Sequence, residues 1–91
     1  MLAADQEPSL TDDQLLAKYI EADPARPGPQ HARLRQSGAP VWALVGYYKV
    51  TKDAETVAHD YDVSPDEVRA VLRYYKLHRQ EIDAKLIANA A

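Results

Sequence analysis

The stretch Ser64-Pro65-Asp66-Glu67 constrains this chain more than any other. A serine, a proline directly after it and a glutamate three positions on make a reciprocal helix cap. The serine hydroxyl and the glutamate carboxylate each accept one free backbone N–H. No glycine or proline follows from Asp66 to Ala91. Val68, Val71, Leu72, Tyr75, Ile82 and Leu86 keep a helical period, with Arg79 the one polar residue on the seam. The spacing predicts one unbroken helix of about 24 residues, about 36 Å long at 1.5 Å per residue. Such a helix outruns so small a domain, so its far end is expected to project or to meet a partner.

The chain has 91 residues, the size of one domain. At that length only about 60–65% of the unfolded surface can be buried, which leaves a thin core and makes self-association a natural supplement. Residues 1–30 read as a short helix and a proline-rich linker, and residues 31–91 as a helix-turn-helix domain, the whole forming a single domain. There are no cysteines, which excludes disulfides, thiolate metal sites and thiol nucleophiles. The longest apolar run, Ala39 to Gly46, is far short of the ~18–20 residues that span a bilayer. Met1 to Ala4 lack a basic segment and run into Asp5 and Glu7, so no secretory signal is expected and the cytoplasm is the expected compartment.

Leu10 to Ile20 reads as a helix with Thr11 as its N-cap and Asp12 and Asp13 at the positive end of its dipole. Asp23-Pro24 stops it, and Pro24 to Pro29 is a loop. His31 to Arg35 alternates in polarity and predicts one short strand. Pro40 fits the first position of a second helix, running to about Val50. Its Val41, Trp42, Leu44, Val45 and Tyr48 supply a broad apolar face expected to be the most buried segment, with Trp42, Leu44 and Val45 in the core. Asp53 reads as the N-cap of a third helix ending at Tyr61. The fold class is therefore mostly α: a small helix-turn-helix domain with a long C-terminal helix and one short strand. Val57, Ala58, Val63, Val68, Val71 and Leu72 complete the expected core. Asp62 stands in the turn where glycine is usual, and aspartate tolerates the left-handed conformation such a turn needs.

The net charge of −3 hides a segregated distribution. Residues 1–30 carry six acids against two bases, and residues 53–91 carry eight against five. Residues 31–52 carry four bases, Arg33, Arg35, Lys49 and Lys52, and no acid. With Arg69 and Arg73 on the last helix, these are the candidate contacts to a polyanion such as duplex DNA, and Lys76, one turn further on, could also reach its backbone. The N-terminal residues of a DNA-reading helix face base edges. Here those are Pro65, Asp66 and Glu67, and two carboxylates oppose phosphate. The residues thus leave open whether the helix pair reads DNA or serves packing and partner binding. Arg73, Tyr75, Arg79, Ile82 and Leu86 are the candidate partner-binding residues, since an apolar helical seam with an interspersed charge suits recognition in a partner's groove. The paired tyrosines Tyr47-Tyr48 and Tyr74-Tyr75 point about 100° apart on a helix, so one of each pair can face outward.

Catalysis finds no support. His31, His59 and His78 lack the i, i+4 pairing of a helical metal site. Gly28, Gly38 and Gly46 form no phosphate loop, and Ser9, Ser37 and Ser64 have no nucleophile context. A non-enzyme without cofactors is expected.

Gly38-Ala39-Pro40-Val41-Trp42 resembles the G-T-R-I-P-V-W opening of the domain-of-unknown-function family 433. The resemblance continues through Val57-Ala58-His59-Asp60-Tyr61-Asp62-Val63-Ser64 and Val68-Arg69-Ala70-Val71-Leu72-Arg73-Tyr74-Tyr75. This chain lacks the usual Thr-Arg, having Ser37-Gly38-Ala39, and the Leu10–Ile20 helix is additional. The resemblance implies a VapB-like antitoxin with a helix-turn-helix. Such a protein pairs with a PIN-like nuclease toxin, dimerises and binds operator DNA. The contrasting expectation is a structural or protein-interaction module with no nucleic-acid role.

Overall fold

The computed structural model of the chain describes residues 10–90. The readings of Met1–Ala4 and Ser9 lie outside them. Helix α1 (Asp12–Tyr19) leads into strand β1 (Ile20–Glu21), a loop, a 3-10 turn (Pro29–His31) and strand β2 (Arg33–Leu34). Helices α2 (Val41–Thr51), α3 (Ala54–Tyr61), α4 (Pro65–Leu77) and α5 (Arg79–Ala90) follow. The mostly helical class is as expected.

Local capping sets the helix starts. Thr11 Oγ1 accepts the Gln14 N–H at 3.2 Å, and Gln14 Oε1 accepts the Thr11 N–H at 2.9 Å, a reciprocal pair of which the sequence reading had seen only the threonine. Asp53 accepts the Glu55 N–H at 3.0 Å. Ser64 and Glu67 form the predicted box, at 3.1 Å and 2.8 Å. Asp62 ends α3 in the left-handed region, φ 55° and ψ 48°, and closes the turn into α4. Lys52 does the same for α2 at φ 58°.

The strands correct the first reading. Of residues 31–35 only Arg33 and Leu34 form a strand, and their antiparallel partner is Ile20–Glu21, of which Ile20 is expected from the sequence to end the first helix. Pairing Ile20 with Leu34 drives both side chains into the core. Pro40 sits one position earlier than expected, as the N-cap rather than the first helical residue, at φ −67° and ψ 136°.

Leu15, Leu34, Val41, Leu44, Val45, Val57, Val68, Val71 and Ile82 are fully buried, one core drawn from every helix and from β2. Trp42, Val63 and Leu72, expected inside, are only partly buried. With Val41 at the first helical position, residues 41, 44 and 45 share the inward face at i, i+3, i+4. Trp42 flanks that face, and the Lys85 ammonium lies 5.5 Å above its ring.

The long C-terminal helix is broken. His78 leaves the helical region, at φ −129° and ψ 42°, and its N–H reaches the carbonyls of Tyr74 and Tyr75. Its ring lies 4.4 Å from that of Tyr74. The bend turns α5 back against α2 and the 3-10 turn, so the chain does not project as a single rod. The cause is burial: a straight rod would carry Ile82 past the core, whereas the bend takes it to zero exposure. Gly46 permits the approach, for a Cβ there would lie 2.9 Å from Leu86 Cδ2.

Candidate functional site

α3, the turn at 62–64 and α4 form the expected helix pair, with Val57, Ala58, Val68 and Val71 packed inside it. What faces out decides its chemistry. Glu67, counted as a carboxylate opposing phosphate, is 7% exposed and spent on the cap. Asp66 alone of that pair remains outward. One turn on, Arg69, Arg73 and Lys76 line a shallow depression with Pro65, Leu72 and Ala54. Asp12 of α1 borders it and holds both arginines, at 3.7 Å to Arg69 and 3.5 Å to Arg73. Arg73 Nε is buried yet makes no hydrogen bond among the described residues.

A second groove adjoins the first and shares Leu72 and Lys76 with it. Its less exposed lining is Val45, Tyr48, Leu72 and Tyr75, and its exposed lining is Lys49, Lys52, Lys76 and Arg79. Tyr75 organises one side. Lys49 Nζ and Arg79 Cζ lie 5.0 Å and 5.1 Å from its ring centroid, within cation–π range. Its hydroxyl donates to Asp83 at 2.7 Å, and Lys49 reaches the same carboxylate at 3.4 Å. The Tyr75 hydroxyl, and after it the charge of Asp83, holds the Lys49 ammonium above the ordinary lysine range. The same hydroxyl, then Lys49, holds Asp83 below the usual carboxylate range.

The candidate residues thus divide. Lys49, Lys52, Tyr75 and Arg79 share the second groove, and Arg69 and Arg73 the first. Arg33 and Arg35 lie elsewhere, on the strand pair. Arg33 meets Glu21 at 2.8 Å and Asp23 at 3.8 Å, and Arg35 meets Glu21 at 3.5 Å. Ile82 is fully buried by its own chain and Leu86 packs against the core, so the seam that was to need a partner is largely covered from within. Lys76, expected with Arg69 and Arg73 to reach a nucleic-acid backbone, follows them at helical spacing and links the two grooves.

Among the described residues no three His, Asp or Glu side chains are placed to share a metal ion, and no helix is long and apolar enough to cross a membrane. His59 Nδ1 lies 3.0 Å from Asp60 at an exposed site. The Tyr47 hydroxyl donates to the other Asp60 oxygen. That bond, then His59, holds the Asp60 carboxyl below its ordinary value. A depressed folded-state pKa contributes stability above the unfolded value and loses it as the group protonates. With Asp60 and Asp83 both depressed, the urea midpoint should be flat above about pH 5 and fall below about pH 4. The Asp60→Asn/Asp83→Asn variant should show a shallower fall, and an equally steep one would remove these two groups as its source.

The arrangement defines a small helical domain built on a helix-turn-helix, with two contiguous cation-lined surfaces. The chain belongs to the family described as protein of unknown function (DUF433), whose family model matches residues 20–75. The match takes in the strand pair, α2, α3 and nearly all of α4. No curated protein and no solved structure matches the chain.

Proposed function

We propose that this protein is an antitoxin-like regulator that binds operator DNA as a symmetric dimer through the open face of α4 and neutralises a PIN-like nuclease toxin. The observation that carries the DNA part is the line of Arg69, Arg73 and Lys76 on the second helix of the pair, with Glu67 turned inward. Arginine and lysine at that spacing meet phosphates, and phosphate contacts supply most of the affinity of such proteins. Two copies related by a two-fold axis would place their α4 helices in successive major grooves. The toxin part follows from the resemblance to VapB-like antitoxins.

A protein-interaction module without a nucleic-acid role is the second reading. It is favoured by Asp12, whose single carboxylate already faces two of the three cations and offsets part of their charge. Fluorescence anisotropy with duplex DNA from upstream of the coding region separates the two. The proposal expects saturable binding that weakens steeply between 50 and 200 mM salt, as counterion release requires. It also expects a dimer by sedimentation and co-purification of a nuclease whose activity the protein suppresses. Absence of duplex binding at low salt, with a monomer in sedimentation, would leave the interaction module.

A further inference from the structure

We propose that the groove between α2, α4 and the start of α5 is a docking site for an acidic, amphipathic polypeptide segment of a partner protein. The inference rests on this groove alone and stands whether or not the neighbouring face of α4 holds DNA.

Charge is the first argument. The protein is net acidic at −3, yet every charged side chain lining the groove is a cation. Lys49 has Asp83 at its edge, at 3.4 Å. Lys52, Lys76 and Arg79 make no ion pair among the described residues, so their charge is available to an incoming anion. Lys52 is presented by the left-handed turn that ends α2, and Arg79 by the bend that starts α5. Two chain reversals thus bring these cations to the same opening.

The apolar lining is the second. Tyr48, Leu72 and Tyr75 remain only partly buried, and apolar surface at the base of a cationic rim gains by being covered. A sugar-phosphate backbone would satisfy the rim and leave that lining wet. A stacked base would need the face of Tyr75, but Lys49 and Arg79 already lie close to its ring and Asp83 holds its hydroxyl. A segment with leucine-like side chains on one stripe and carboxylates beside them satisfies both layers. The apolar stripe covers the base, and carboxylates reach Lys52 and the planar fork of Arg79. The docking geometry is the reverse of the expected one. The chain supplies the groove, and the partner supplies the helix or strand.

The test uses a fluorescein-labelled amphipathic peptide of leucine and glutamate, with two counterparts, lysine for glutamate and serine for leucine, titrated into the full chain. The leucine–glutamate peptide should bind, and each counterpart should bind at least tenfold more weakly. Arg79→Glu and Lys52→Glu, both at exposed positions, should each weaken the peptide at least tenfold while keeping the parent urea midpoint. Lys18→Glu on α1, with the same change in net charge, should have under a threefold effect. Equal binding of the serine counterpart, or equal loss in Lys18→Glu, would reduce the groove to diffuse electrostatics and overturn the proposal. Loss of duplex DNA binding in Arg79→Glu matching the loss of peptide would reassign the groove to nucleic acid. Dissociation of a dimer by Arg79→Glu would reassign it to a second copy. Failure of the unaltered protein to bind any duplex would sink the DNA reading and leave the peptide result standing.

Discussion

Ile82→Ala should lower the free energy of unfolding by about 2–5 kcal/mol, the cost of truncating a large aliphatic side chain in a packed core. Ile82 has no exposed surface and is the buried residue that α5 contributes to the core, with Leu86 packed against that core beside it. Against a total of about 5–15 kcal/mol for a domain, the loss is a large fraction. The comparison that sharpens the result is Trp42→Ala. A straight reading of residue size expects tryptophan to dominate, at about 3–5 kcal/mol. Trp42 is only partly buried and has the Lys85 ammonium over its ring, so its truncation should cost less than that of Ile82. Urea unfolding followed by far-UV circular dichroism measures both. An Ile82→Ala loss below about 0.5 kcal/mol, the range of surface substitutions, would mean that α5 does not pack on α2 in solution.

Arg69→Ala/Arg73→Ala should weaken duplex binding about 10- to 100-fold at moderate salt and flatten the plot of log affinity against log salt by about two units, one for each phosphate contact removed. The reciprocal change is Asp12→Asn. It removes the carboxylate that both guanidinium groups now face, at 3.7 Å and 3.5 Å, and should strengthen duplex binding. Asp12 also stands in the first turn of α1, so the same variant should lose about 0.3–1 kcal/mol of stability through the helix dipole. Anisotropy titrations across a salt series supply both slopes. A slope unchanged by the arginine substitutions would remove α4 from the DNA reading, whatever the absolute affinities.

The starts of α1, α3 and α4 were legible because a cap is a local transaction. Ser64 and Glu67 lie three residues apart, as do Thr11 and Gln14, and Asp53 serves an amide two residues on. Asp62 was legible for the same reason, since the left-handed preference belongs to the residue itself. The bend at His78 was marked only faintly, by the four successive polar residues His78-Arg79-Gln80-Glu81 and by Arg79 on the apolar seam. Helical period alone continued through it.

The rest depended on which distant segments share the core. Whether Ile20 extends a helix or pairs with Leu34 is decided by the burial both gain when β1 meets β2. Whether Val41 or Trp42 turns inward depends on the phase of α2 against the other helices, which no pattern within eleven residues settles. The cationic groove shows the division most plainly. Lys49 and Lys52 belong to a basic middle segment visible in the chain, and Arg79 and Tyr75 to a helix assigned a different role. Folding α5 back onto α2 put them round one opening. Residue type and short spacing govern caps, turns and helical period, because those interactions close within a few residues. Register, phase and the meeting of charges from separate helices follow from minimising exposed apolar surface over the whole chain, a condition that no local stretch contains.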